Sequence, residues 1–154
     1  MLTSPLQLEA SYIKELHFLM KDHPKDLKPV ENPAVKVSVK AARKTDDPLH
    51  WSFELNVGFD EATAAKMPFE FTLVMLGFFK VNEKYPAEQA EKLANTNGPA
   101  VLYSATREVI ASLTGRNGYS PLVLPTVTFI HATGDQIKEK PRSQRMPRVI
   151  RKRG

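Results

Sequence analysis

The chain has 154 residues, about the size of one ordinary domain. Hydrophobic residues make up 42% and charged residues 25%, a balance typical of a globular protein rather than a disordered one. Cysteine is absent, which excludes disulfides, thiolate nucleophiles and cysteine-ligated zinc or iron–sulfur sites. No apolar run is long enough to cross a membrane, and no secretory signal pattern opens the chain. We therefore expect a cytoplasmic protein without membrane insertion.

The net charge of +5 resides in the C-terminal tail. Residues 138–154 carry eight basic side chains against one acidic side chain, a net +7, and the rest of the chain carries −2. The basic charge is therefore a property of the tail and not of the whole chain. The sequence predicts a folded domain over 1–133 and a basic, proline-broken tail over 134–154 that is disordered in isolation.

Four segments have the character of β-strands. Residues 7–19 are rich in aromatic and β-branched residues, although their alternation is imperfect. Residues 34–44 and 49–59 alternate cleanly and are joined by an Asp-Asp-Pro turn, which predicts a hairpin. Residues 67–82 form the fourth strand, with one fully apolar face. Its second face is mixed and predicts partial cover over three apolar positions: Val74, Leu76 and Phe78.

The connections between these segments differ in character. Residues 20–34 contain three prolines and predict a long connection, of the kind that is often functional. Glu61 to Lys66 is interpreted as a second, short connection.

After Pro86 the periodicity becomes helical. Residues 87–95 predict a short helix, and Gly98-Pro99 predicts the start of a second, longer helix that ends near Gly115. Residues 122–130 are apolar and extended. Strands followed by helices predict an α+β fold with a four-stranded antiparallel sheet and one long helix. The apolar surface left over predicts self-association or a binding groove.

Sequence motifs for catalysis and cofactor binding are missing. There is no phosphate-binding glycine loop, nucleophile elbow or zinc-protease motif, and the four histidines lack the spacing of metal ligands. We therefore expect no enzyme, no cofactor and no metal. Arg107 and Glu108 are interpreted as polar contacts that hold the helix to the sheet.

Apolar residues within predicted loops indicate a binding surface, since loops seldom carry this much apolar area without a partner. These residues are Leu27, Val30, Tyr119, Leu122 and Leu124.

Residues 98–130 resemble the SecB family of export chaperones. The family's helix start, its arginine–glycine loop and its proline-containing segment are matched at Val101–Tyr103, Arg107-Glu108, Gly115-Arg116 and Val127–Phe129. Upstream, residues 74–81 are similar to the family's fourth strand. The strand order, the proline-rich crossover and the helix position agree as well, so that the resemblance covers roughly residues 7–130.

The resemblance implies a tetramer built as a dimer of dimers. It also implies an ATP-independent holdase that binds unfolded client polypeptides in apolar grooves, with no cofactor and no catalytic residue. The family's groove is lined by the crossover loop, sheet residues and the loop after the main helix. On this basis the predicted client groove comprises Leu27, Val30, Trp51, Phe78, Tyr119, Leu122 and Leu124.

The sequence departs from the classical members of the family in charge. Those members use acidic sheet residues and a C-terminal helix to engage the SecA motor. Here the predicted sheet exposes basic side chains, and the expected last helix is replaced by a tail with Pro141 and Pro147. These departures argue against SecA binding. They favour the branch of dedicated chaperones in toxin–antitoxin–chaperone systems, for which an antitoxin or toxin is the partner. The basic residues of the sheet are Lys36, Lys40, Arg43 and Lys44.

The tail predicts docking to an acidic partner. Arg142, Arg145, Arg148 and Arg151 recur at three-residue spacing, which places them on one side of a helix or of an extended segment. The alternative function is nucleic-acid binding through the same charges. The tail has no interleaved aromatic residues for base stacking, which argues against nucleic acid as the partner.

Overall fold

The computed structural model describes residues 2–21, 33–43, 46–116 and 121–129. Four strands form one antiparallel sheet in the order β1-β4-β3-β2. The strands are β1 (Leu6–Met20), β2 (Val35–Arg43), β3 (His50–Phe59) and β4 (Phe69–Val81). Two helices accompany them, α1 (Glu61–Lys66) and α2 (Ala87–Gly115). The architecture is the predicted α+β arrangement of a four-stranded antiparallel sheet and one long helix.

The imperfect alternation of the first strand has a structural cause. β1 pairs with β4 through register shifts between Leu8 and Ala10 and between Ile13 and Glu15. Each shift inserts an extra residue into β1, so that the side chains after it point to the other face of the sheet. A strict period of two therefore breaks twice within this strand.

The predicted hairpin of β2 and β3 is confirmed, with Val37 opposite Val57 in the ladder. Its turn is held by Asp47, which accepts the Leu49 backbone N–H at 3.1 Å and contacts His50 Nδ1 at 2.5 Å. The His50 ring also approaches Glu9 of β1 at 3.4 Å, so that it joins the turn to the sheet.

Residues 61–66, interpreted from the sequence as a short connection, form a helix. Asp60 precedes this helix and its carboxylate accepts the Thr63 backbone N–H at 2.7 Å. That hydrogen bond satisfies one of the N–H groups that a helix start leaves free. The Thr63 hydroxyl, together with the same backbone bond, lowers the pKa of Asp60.

The prediction of two helices after Pro86 is wrong, because α2 is continuous over 29 residues with Pro99 inside it. Proline removes one helical hydrogen bond and normally ends a helix. Tertiary packing opposes this cost here. Gly98 sits directly against Phe53 of β3, and a Cβ at Gly98 would approach the ring to 2.5 Å. Leu102 packs over Gly77 of β4 in the same way.

The sheet has one covered face and one open face. The face under α2, here called the helix face, carries the buried side chains of β3 and β4, including Phe53, Leu55, Leu73 and Phe79. The opposite face, here called the open face, carries the alternate residues of each strand.

Neither helix of the described residues has the length and apolar character that crossing a membrane requires.

Candidate functional site

The segment after α2, here called the return segment (residues 121–129), runs back along the helix. Three hydrogen bonds from α2 fix its backbone. Thr114 Oγ1 accepts the Leu122 N–H at 2.7 Å, Arg107 Nε donates to the Leu124 carbonyl at 3.0 Å, and the Tyr103 hydroxyl donates to the Pro125 carbonyl at 2.5 Å. Arg107 therefore holds the return segment to the helix, whereas the sequence suggested a contact between helix and sheet.

The return segment turns its apolar side chains alternately inward and outward. Leu122 and Leu124 are buried in the core, and Phe129 packs edge-on against the Tyr103 ring at 6.0 Å. Val123 lies between the two leucines and is 67% exposed. The segment thus closes one side of the core and presents a small apolar surface outward.

Trp51 lies on the helix face at the start of β3. Its ring is parallel to that of Phe53, with centroids 6.4 Å apart, and the Arg43 guanidinium lies over it at 5.6 Å. The side chain is only 6% exposed and belongs to the same core cluster as Leu122 and Leu124. The structure therefore brings these three predicted groove residues to one side of the sheet.

Phe78 lies on the open face, on the other side of the sheet from Trp51. It is 38% exposed and its ring lies 6.4 Å from the ring of Tyr12 in β1. One groove cannot be lined by residues on both faces of a sheet, so Phe78 is separated from Trp51, Leu122 and Leu124. Leu27, Val30, Tyr119, Arg142, Arg145, Arg148 and Arg151 lie outside the described residues.

β1 carries exposed apolar residues that sequence reasoning missed. The strand forms one edge of the sheet, and α2 leaves part of its helix face uncovered. Ile13 and Leu16 are 43% and 42% exposed there, although their partners on β4 are buried. The open face adds Tyr12 and Leu19. The number of large apolar residues within 7–19 could have indicated this exposed surface. The two bulges break the alternation that would have shown which face those residues share.

The open face also carries paired charges. Lys14 of β1 donates to Glu54 of β3 at 2.9 Å across the intervening strand β4. This hydrogen bond and the attraction between the charges raise the pKa of Lys14, and the same hydrogen bond lowers the pKa of Glu54. His17 approaches Glu70 at 3.4 Å on the same face.

The predicted basic residues of the sheet divide between its two faces. By register, Lys36 and Lys40 of β2 lie on the open face, whereas Arg43 lies opposite Trp51 on the helix face. Lys44 is outside the described residues. The open face therefore carries the Tyr12–Phe78 aromatic pair together with basic and acidic side chains.

Comparison with known proteins decides the family. The SecB family model, described as preprotein translocase subunit SecB, matches residues 2–140. The chain belongs to the SecB family. Protein-export protein SecB of Rhodopseudomonas palustris is 28% identical over 126 residues, covering 81% of this chain and 80% of that protein. SecB of Acidithiobacillus ferrooxidans is 28% identical over 124 residues, covering 79% and 83%.

A solved structure shares the fold of this SecB family member. It is a Mycobacterium tuberculosis SecB-like chaperone in complex with a peptide from an antitoxin. The TM-score is 0.55 and the sequence identity is 19%, over 80% of this chain and 91% of that one. The resemblance to SecB-like chaperones that the sequence predicted is confirmed. The SecB family is not an enzyme family.

Proposed function

We propose that this protein is an ATP-independent holdase of the cytoplasm that binds non-native polypeptide, with an antitoxin as its dedicated client. Membership of the SecB family is the observation that carries the holdase function. The dedicated client is supported by the shared fold with a chaperone that was solved with an antitoxin peptide. The basic residues on β2 support a partner other than SecA, because the classical members engage SecA through acidic sheet residues.

The proposed client groove lies on the side of the sheet that carries Trp51, Leu122 and Leu124, whose own side chains are buried in the core of the single chain. Leu27, Val30 and Tyr119 remain proposed members from the sequence. An apolar groove binds an unfolded chain by removing apolar side chains from water, at about 25 cal/mol per Å² of buried surface. Phe78 is proposed instead to form a second apolar patch with Tyr12 on the open face.

We further propose that the chain assembles as a tetramer, a dimer of dimers. β1 supports this proposal because it is an edge strand with apolar side chains exposed on both faces. Within the described ranges, no strand pairs with its outer edge. Such an edge invites pairing with another chain unless it is protected. Several grooves on one assembly also raise the affinity for a long client through effective concentration.

Suppression of aggregation tests the holdase function. A chemically unfolded client and an antitoxin are diluted separately into buffer without ATP, and light scattering is followed with and without the full chain. We expect stoichiometric suppression, with a clear preference for the antitoxin in competition. Unchanged scattering of both proteins would contradict the proposal.

A charge-neutralised variant distinguishes the alternative function. We propose that Arg142, Arg145, Arg148 and Arg151 dock to an acidic partner, and the fourfold Arg→Gln variant removes those charges. A holdase retains suppression in this variant and binds its acidic partner more weakly in calorimetry at low salt. A nucleic-acid-binding protein instead binds DNA or RNA with steep salt dependence and loses that binding in the variant.

A further inference from the structure

The Trp51 side chain contains a buried polar group, the indole N–H, that makes no hydrogen bond within the described residues. Its indole Nε1 is inaccessible to solvent and has no hydrogen-bond acceptor in the described part of the chain. The side chain as a whole is 6% exposed. A buried N–H without a partner costs free energy, and native structures seldom retain one without a reason.

Asn95 of α2 presents the complementary case. Its side-chain oxygen Oδ1 is buried and lacks a donor within the described ranges. Both residues are close in sequence to the two residues that meet where α2 crosses β3, Phe53 and Gly98. Trp51 precedes Phe53 by two residues on the same face of the strand, and Asn95 precedes Gly98 by less than one turn of helix. One unused donor and one unused acceptor thus border the same junction.

We infer that the Trp51 indole N–H and the Asn95 side-chain oxygen are the polar receptors for the backbone of the client. This inference rests on the proposed holdase function and names the chemistry that its groove recognises. An extended polypeptide offers one N–H and one C=O at each residue other than proline. The carbonyl accepts from the indole, and the amide N–H donates to Asn95.

Backbone recognition suits a holdase because the backbone is the part that all clients share. A native protein has already paired its buried N–H and C=O groups within helices and sheets, whereas a non-native chain has not. Apolar contacts alone do not make this distinction. Two polar receptors among apolar side chains therefore favour an unfolded segment over a folded surface.

Movement of the Arg43 side chain gives the client access to the Trp51 indole. The Arg43 side chain is exposed at the end of the edge strand β2, and its guanidinium lies over the Trp51 ring at 5.6 Å. An exposed arginine exchanges rotamers on the picosecond to nanosecond timescale. Displacement of the guanidinium would uncover the face of the Trp51 ring over which it now lies.

The test uses the fact that Trp51 is the sole tryptophan of the chain. The 15N-labelled full-length protein gives one indole N–H cross-peak in an NMR correlation spectrum. Reduced, alkylated α-lactalbumin serves as the unfolded probe. At saturation we expect the indole proton to move downfield and to exchange with solvent at least tenfold more slowly. An unchanged indole signal at saturating probe would overturn the inference, and would leave a bound water as the partner of the N–H.

Two replacements of Trp51 measure the contribution of the N–H to affinity. Trp51→Phe removes the donor, and incorporation of benzothienylalanine at the sole tryptophan position removes it while keeping the bicyclic shape. We expect either change to weaken probe binding about fivefold, the effect of one hydrogen bond. Asn95→Ala is expected to act in the same direction. Val101→Ala, at an exposed site of α2, is the control and retains full affinity.

The outcomes separate this inference from the proposed function. Failure of the wild-type chain to bind the probe contradicts the holdase function itself. Binding of the probe with equal affinity by the wild type and the benzothienylalanine protein overturns only the role of Trp51. Circular dichroism melts identify any variant that fails to fold, and the isosteric replacement then decides the result.

Discussion

Thr114 and Leu122 join the long helix to the return segment through one buried hydroxyl. Thr114 Oγ1 accepts the Leu122 N–H at 2.7 Å and donates to the Ile110 carbonyl at 2.8 Å. The side chain is 1% exposed, so that water does not compete for either bond. The hydroxyl therefore links the last turn of α2 to the return segment by hydrogen bonds.

Thr114→Val is expected to destabilise the protein by about 1–3 kcal/mol, because it leaves the Leu122 N–H buried and unpaired. The substitution keeps the branched shape and removes only the hydroxyl. Urea unfolding followed by circular dichroism measures the change. Thr114→Ser is the matched control, since it keeps the hydroxyl, and is expected to lose less stability than the valine variant. A valine variant as stable as the wild type would contradict this stabilising role of the Thr114 hydroxyl.

Gly98→Ala is expected to destabilise the protein although alanine favours helix by about 1 kcal/mol. The new Cβ would lie 2.5 Å from Cε2 of the buried Phe53 ring, which cannot move aside without disturbing the core. Overpacking of this kind costs about 1–3 kcal/mol. Thermal melts measure the net effect. Ala100→Gly, at an exposed position of the same helix, gives the change in propensity alone. Stabilisation of the Gly98→Ala variant would show that the helix can shift away from the sheet.

The apolar edge of β1 is expected to mediate self-assembly. Ile13→Lys with Leu16→Lys places two charges at positions that are 43% and 42% exposed in the single chain and apolar in the proposed interface. Burial of unpaired charge is strongly unfavourable, so that the double variant is expected to be monomeric. Light scattering after size exclusion measures the mass. Val123→Lys, also at an exposed apolar position, is the control and remains a tetramer. A monomeric wild type at micromolar concentration would refute the assembly.

The Lys14–Glu54 pair predicts a pH dependence at both ends of the scale. The folded state lowers the pKa of Glu54 from its ordinary value of 4.5, so its stabilisation is present above that value and is lost as pH falls through the lowered pKa. The pKa of Lys14 is raised from 10.5, so its stabilisation is present below that value and is lost as pH rises through the raised pKa.

NMR titration of the Glu54 carboxyl carbon measures the first of these shifts. We expect a midpoint below 4.5 in the wild type and a return toward 4.5 in Lys14→Met. Both residues reach solvent, so the shift should shrink in 1 M salt. Lys36→Met, on the same face, is the control because Lys36 has no part in the pair. An identical midpoint in the wild type and Lys14→Met would exclude the ion pair in solution.

Much of the sheet could be predicted from local patterns, because side chains on a strand alternate between its faces. The alternation in residues 34–44 and 49–59 placed β2 and β3 correctly and predicted their hairpin. The same reasoning assigned Phe69, Phe71 and Leu73 to one face of β4, where they are buried. The candidate site was harder, because alternation shows which residues share a face but not which face is covered. Trp51 and Phe78 were assigned to one groove, and the structure places them on opposite faces.

By itself, the sequence determined the four strands, the helical character of the residues after Pro86 and the basic tail, since these depend on composition and short-range periodicity. Its motifs at residues 74–81 and 98–130 carried the similarity to the SecB family. Tertiary structure alone decided that α2 continues through Pro99, because Phe53 and Gly77 are distant in sequence and supply the packing that opposes the helix break. It also decided that β1 is an edge strand on which apolar residues such as Ile13 and Leu16 stay exposed. Exposure depends on which neighbours cover a strand, and long-range pairing rather than local pattern sets those neighbours.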